Sequence, residues 1–235
     1  MFGLLTIFAS LIFSTCVFSG VALEEGTRVV FDASAASQSI HVTNTNRYSV
    51  VVQSWVDDGD LSNVPQTAEA PLITKPALFK LAPGASQVIQ LINIDNQPVE
   101  TERLYWLNIH ELPPSLTGSE TQVDKLALTM QTQYKIFYRQ PDMTLSQQAI
   151  QNSVQVDKQK KTGIDYLAIK NAAAIHLNLA KIELDGQVYT RFNRTIAPGQ
   201  TQTVRLESPL SDNMVMLTVI DDKGALFDVF QLIGE

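Results

Sequence analysis

The sequence predicts an all-β protein built from two β-sandwich domains. Three observations carry this. After residue 22 the dominant hydrophobic period is two, not 3.6. Short alternating stretches recur between turn dipeptides, the spacing typical of sandwiches. No stretch after residue 22 reads as a helix of ordinary length. At 235 residues and 45% hydrophobic, the chain is long enough for one or two domains with real cores.

Thr27-Arg28-Val29-Val30-Phe31 reads as the first strand. Ser39-Ile40-His41-Val42-Thr43 and Gln87-Val88-Ile89-Gln90-Leu91-Ile92 alternate polar and apolar residues, and Val50-Val51-Val52-Gln53-Ser54-Trp55-Val56 is rich in β-branched and aromatic ones. Residues 77–81 and 103–112 add two more strands, punctuated by Asp58-Gly59, Pro83-Gly84 and Pro113-Pro114. The longest strand is expected over 126–139, ended by Pro141. Residues 144–152 are polar and Gln-rich, a single helical turn or a linker. A second β-rich block follows at 166–170 and 175–184. There Asp185-Gly186, flanked by Leu184 and Val188, is a strong two-residue hairpin signal. Strands over 201–206, 214–220 and 225–233 complete it. The expected division is 1–22 leader, 23–140 first domain and 141–235 second domain, the two meeting near Gln140. No internal repeat of 20–50 residues is visible.

Residues 2–22 carry no charge and are mostly apolar. A membrane span and a secretory signal compete for this segment. Gly20 and Ala22 occupy the −3 and −1 positions of a cleavage site, and Glu24-Glu25 follow in place of a basic stop-transfer flank, so a removed signal is favoured. The start of the segment lacks the Lys or Arg that such signals carry. Cys16 does not fit a lipoprotein, because Phe13-Ser14-Thr15 lacks the usual preceding residues. Cleavage after Ala22 would leave a chain without a thiol.

The chemistry of most enzyme classes is missing. A net charge of −7 argues against broad binding to nucleic acid or anionic lipid. The single cysteine excludes an internal disulfide and a thiolate zinc site, and three scattered histidines leave little for a metal. No Gly-rich phosphate loop and no G-x-S-x-G elbow appears. His41, His110 and His176 read as ordinary strand residues, and Asp57, Asp58 and Asp221 as solvated turn residues. Asn193-Arg194-Thr195 is a weak glycosylation match. Neither an enzyme, a cofactor nor a metal is expected.

Three signatures resemble one family in order and spacing. They are Thr27-Arg28-Val29-Val30-Phe31-Asp32; Leu81-Ala82-Pro83-Gly84 with Tyr105-Trp106-Leu107-Asn108-Ile109-His110-Glu111-Leu112-Pro113-Pro114; and Lys135-Ile136-Phe137-Tyr138-Arg139. Together they are similar to the periplasmic pilus chaperones, the PapD-like family, over essentially the whole mature chain. The resemblance implies two immunoglobulin-like domains at an angle around a cleft, no catalysis, and pilus or fimbrial subunits bound there. It also implies delivery to an outer-membrane usher and a periplasmic location. The short polar segment after Pro114 resembles the family's short-loop branch.

The resemblance also implies site residues. Leu126, Leu128 and Met130 match the strand donated to a subunit; without the resemblance, facing their own core is the better reading. Arg28 and Lys135 match the cations that hold a subunit's C-terminal carboxylate, and solvated strand charges are the bland alternative. Lys135 is odd-numbered and the donated residues even-numbered, so it should point to the opposite face. Glu102, Arg139 and Asp222 match an interdomain charge network that fixes the angle between domains. A long apolar strand also suggests a self-capping homodimer when no subunit is bound. A fibre subunit and a secreted hydrolase are the rival classes. The first would need an N-terminal donor extension longer than residues 23–26, the second a cluster of acids or a metal.

Overall fold

A computed structural model describes residues 20–95, 97–112 and 129–234. The first domain holds β1 (Val21–Leu23), β2 (Arg28–Asp32), β3 (Ser37–Asn44), β4 (Val50–Asp57), β5 (Leu72–Lys75), β6 (Leu78–Leu81), β7 (Ser86–Asn93), β8 (Arg103–Leu112) and β9 (Met130–Arg139). One sheet runs β1-β3-β7-β5 and the facing one β2-β9-β8-β4-β6. The alternation read from sequence sets the layers. Ile40, Val42, Ile89 and Leu91 are buried between the sheets with Phe31, Val52, Leu107, Ile109 and Ile136, while His41 and Val88 point out. Fully burying each such side chain contributes about 1.5–3 kcal/mol.

The second domain begins with α1 (Gln147–Ser153) and continues through β10 (Val154–Lys161), β11 (Ile164–Asn171), β12 (Leu177–Leu184), β13 (Gln187–Tyr189), β14 (Thr195–Ile196), β15 (Thr201–Arg205), β16 (Met214–Ile220) and β17 (Leu226–Gly234). Its sheet runs β13-β12-β16-β17-β10-β11-β15, with β14 beside β12. Leu167, Ile169, Leu179, Leu217, Val219 and Val229 fill its core. Helix α1 spans only two turns. Ser146 caps it by accepting from Ala149 N at 3.1 Å, and Ile150 is its buried residue. At the β12–β13 hairpin Asp185 and Gly186 both have positive φ, 51° and 72°, as a type I′ turn requires.

Four strands lie where the sequence offered no clear signal: β1, β5, β10 and β14. β1 overlaps the expected leader at Val21 and Ala22. It pairs with β3, and Val21 and Leu23 belong to the core. Asp57 corrects a reading of the sequence: it is fully buried, not solvated. Its carboxylate accepts from Trp55 Nε1 (2.9 Å), Asn108 Nδ2 (2.8 Å) and Gly59 N (2.9 Å). Leu126, Leu128 and the segment after Pro114 lie outside the described residues. Among those described, no helix is long and apolar enough to cross a membrane.

Candidate functional site

The candidate site is organised by β9, whose side chains alternate between two environments. Ile136 and Tyr138 lie in the first domain's core, and Tyr134 packs against it. Lys135, Phe137 and Arg139 fall on the opposite face, as strand alternation demands. Met130 shares the parity of the core residues but sits at the rim, 42% exposed. The expected opposition between Met130 and Lys135 is therefore what the fold produces.

β2 runs parallel to β9 with Arg28 opposite Lys135. Val29 and Phe31 are buried in the core, which leaves Arg28 on the same outer face as Lys135. Lys135 Nζ lies 5.6 Å from the centre of the Trp106 ring. It donates to Thr195 Oγ1 and, at 3.4 Å, to Asn178 Oδ1, both from the second domain. Thr195 Oγ1 in turn donates to Asn178 Oδ1 at 3.1 Å. Trp106 is held by a close approach: Gly59 has φ +96°, and a Cβ there would collide with the indole.

The electrostatics of this pair are unbalanced. Burial lowers the Lys135 pKa from its ordinary value, and the neighbouring Arg28 charge lowers it further. Burial also lowers the Arg28 pKa, with Asp222 and Asp221 opposing the shift through space. Arg28 Nε and Nη1 are buried and have no hydrogen-bond partner among the described residues. Two adjacent, partly desolvated cations with unused donors form a site suited to an anion.

Four residues further along β9, Arg139 bridges the domains. Its Nη1 donates to Glu102 Oε2 at 2.6 Å and to Asp222 Oδ1 at 3.2 Å, and its Nη2 to Asp222 Oδ2 at 2.5 Å. Burial opposes the charge, but the hydrogen bonds and charges of Asp222 and Glu102 outweigh it and raise the Arg139 pKa. Glu102 Oε1 accepts from His176 N at 2.7 Å and meets His176 Nδ1 at 2.8 Å. The structure thus brings Glu102, Arg139 and Asp222 together. It adds His176, which the sequence offered only as an ordinary strand residue.

The two halves of β9 differ in pairing. Lys135–Tyr138 lies between β2 and β8, and Arg139 continues the pairing with β2. Among the described residues, Met130–Tyr134 pairs on one side only, with β8. That half presents an open backbone edge, with Gln131 and Gln133 on its outer face donating to Asn108 Oδ1 at 2.9 and 3.0 Å.

Comparison with known proteins accounts for both domains. The family profile described as "Pili and flagellar-assembly chaperone, PapD N-terminal domain" matches residues 20–144. "Pili assembly chaperone PapD, C-terminal domain" matches residues 148–229. The chain belongs to the PapD-like pilus-assembly chaperone family. Among its relatives is the probable fimbrial chaperone YehC of Escherichia coli, 27% identical over 200 residues, which are 85% of this chain and 81% of YehC. The solved Salmonella enterica SafB chaperone, in complex with the SafA pilin, superposes with a TM-score of 0.73 at 22% identity, over 92% of this chain and 97% of SafB. The Pseudomonas aeruginosa CupB2 chaperone gives 0.69 at 24%, over 89% and 99%. The fold of this PapD-like chaperone is therefore two immunoglobulin-like sandwiches. Its cleft also draws on Trp106, Asn178, Thr195 and His176, none of which the sequence marked as site residues. Trp106 lies within a quoted signature and faces Lys135 across the β8–β9 pair, the one signal that could have found it.

Proposed function

We propose that this chaperone binds pilus or fimbrial subunits by lending them the segment 126–130, which leads into the open half of β9, and that it acts without catalysis. An incomplete subunit exposes a sheet edge and an apolar groove, both prone to aggregation. A donated strand supplies backbone hydrogen bonds and alternate apolar side chains. Leu126, Leu128 and Met130 are the proposed side chains. Arg28 and Lys135 are the proposed register pin, holding the subunit's C-terminal carboxylate so that the donated strand cannot slip by a residue. Glu102, Arg139 and Asp222 are proposed to fix the interdomain angle and so the width of the cleft.

The observation that carries this reading is the pair of buried nitrogens of Arg28 beside Lys135, unpartnered among the described residues, next to a strand edge open among them. A guanidinium and an ammonium together suit a carboxylate. Co-expression with a pilin provides the test. Arg28→Ala and Lys135→Ala are each expected to cut recovered subunit about tenfold or more. Unchanged recovery in both would overturn the anchor.

The same proposal places the protein in the periplasm and hands the loaded subunit to an outer-membrane usher, with an open β9 edge covered by a second copy between clients. Because β1 carries core residues, the proposed leader is cut N-terminal to Val21. N-terminal sequencing of protein from the periplasmic fraction checks both location and cut. Sedimentation over micromolar concentrations checks the dimer.

A further inference from the structure

Phe137 lies on the outer face of β9 between Lys135 and Arg139, yet only 2% of it is exposed. It is absent from the core of either domain. Two groups stand against its ring. The His176 ring of the second domain lies 5.9 Å away, centroid to centroid, at 49°. The Arg28 guanidinium carbon lies 5.9 Å from the same centroid. His176 is itself 7% exposed, and its backbone N and Nδ1 both meet Glu102 Oε1, while Glu102 Oε2 receives Arg139. A continuous run of contacts therefore joins Arg139, Glu102, His176, Phe137 and Arg28.

A guanidinium can be positioned in two ways. A carboxylate can hold it by accepting its N–H groups, which uses those donors. An aromatic face can hold it through the ring quadrupole, which leaves the donor edge free. Asp221 and Asp222 act on Arg28 only through space, and Nε and Nη1 remain unpartnered among the described residues. The second way is the one this site uses. A ring is a good platform only if it cannot turn away, and His176 stands tilted against it at 5.9 Å, restricting its rotation.

We propose that His176 is a positioning residue for carboxylate capture: fixed by Glu102, it holds the Phe137 ring as the platform on which Arg28 is laid with its donors free. This rests on the reading of Arg28 and Lys135 as a carboxylate anchor. It makes the interdomain clamp and the anchor one unit, so that a displaced second domain also loosens Arg28.

The test uses the purified full chain and a synthetic peptide of alternating Val and Thr, made with a free C-terminal carboxylate and as the C-terminal amide. The readout is the ratio of the two affinities, which a merely structural role would leave unmoved. His176→Asn keeps a polar group for Glu102 but uncovers the ring. It is expected to lower the acid-over-amide ratio about fivefold. His176→Phe keeps the cover and is expected to retain most of the ratio. Phe137→Leu removes the platform and is expected to match His176→Asn, even where the latter folds poorly. A full ratio in Phe137→Leu, with the ratio lost in Lys135→Ala, would overturn the proposal. A full ratio in Lys135→Ala would overturn the anchor itself, and the platform with it.

Discussion

The two halves of β9 belong to one strand, yet they follow opposite rules. Residues 135–138 have a partner strand on each side, Arg139 pairs with Asp32 of β2, and Ile136, Phe137, Tyr138 and Arg139 are all buried. Residues 130–134 have one partner strand among those described, and Met130 and Gln131 are exposed. The difference comes from β2, which starts pairing at Arg28; before it, the chain crosses to the other sheet as β1. Among the described residues, a sheet that could have been closed is left open over five residues. Cations stand where the closed half begins. The closed half anchors the strand, so in the proposed donation the open half is already extended, and little ordering cost falls on the partner.

Changes in the closed half should strike the fold itself. The largest expected effect is Arg139→Ala, which removes the guanidinium from the buried Glu102 and leaves His176 as its remaining contact. A loss of about 3–5 kcal/mol in unfolding stability is expected from urea titration. Ile136→Ala comes next, at about 2–5 kcal/mol, because its side chain is fully buried in the core. Met130→Ala sharpens the contrast. It should cost under about 1 kcal/mol in stability, since the side chain is half exposed, while subunit capture falls about tenfold or more. Equal stability losses at Ile136 and Met130 would erase the distinction between the halves.

The sequence made the strands with strong alternation legible and concealed those without it. β3, β7, β8 and β16 bury alternate or near-continuous apolar residues, so period and composition reveal them. β10, with the sequence VQVDKQKK, buries only Val154 and Val156, and its charged end resembles a loop. β1 was hidden by the leader, whose apolar composition resembles a buried strand. The pairing of Arg28 with Lys135 and the Arg139 bridge were reached through family resemblance, since spacing alone could not bring residues 107 positions apart together. Asp57 and His176 show the limit. A buried acid and a buried histidine look like turn and strand residues until partners distant in the chain, Asn108 and Glu102, are in place.

The smallest expected effect concerns the boundary between the halves, and its sign is opposite. Arg28 and Lys135 are like charges brought together and partly desolvated, so each is held in a state that folding alone does not favour. Arg28→Met removes one charge and two unpartnered donors while keeping an apolar stem against Phe137. Stability should rise by up to about 1 kcal/mol, a Tm gain of about 2–4 °C for a chain of this size, as acid-over-amide discrimination falls to what Lys135 alone supports. The pH profile carries the same signature. Lys135 titrates below its ordinary value in the folded chain, so in that window the unfolded chain binds more protons. Stability therefore rises with pH from the lowered folded pKa up to the unfolded value. Carboxylate affinity runs the other way, because a carboxylate favours the protonated ammonium. It should decline as pH passes the lowered pKa, earlier than for an ordinary lysine near about 10.4. Arg28→Met relieves the repulsion on Lys135 and should move that decline to higher pH. A decline at the same pH in both proteins would mean that the two cations do not sense each other.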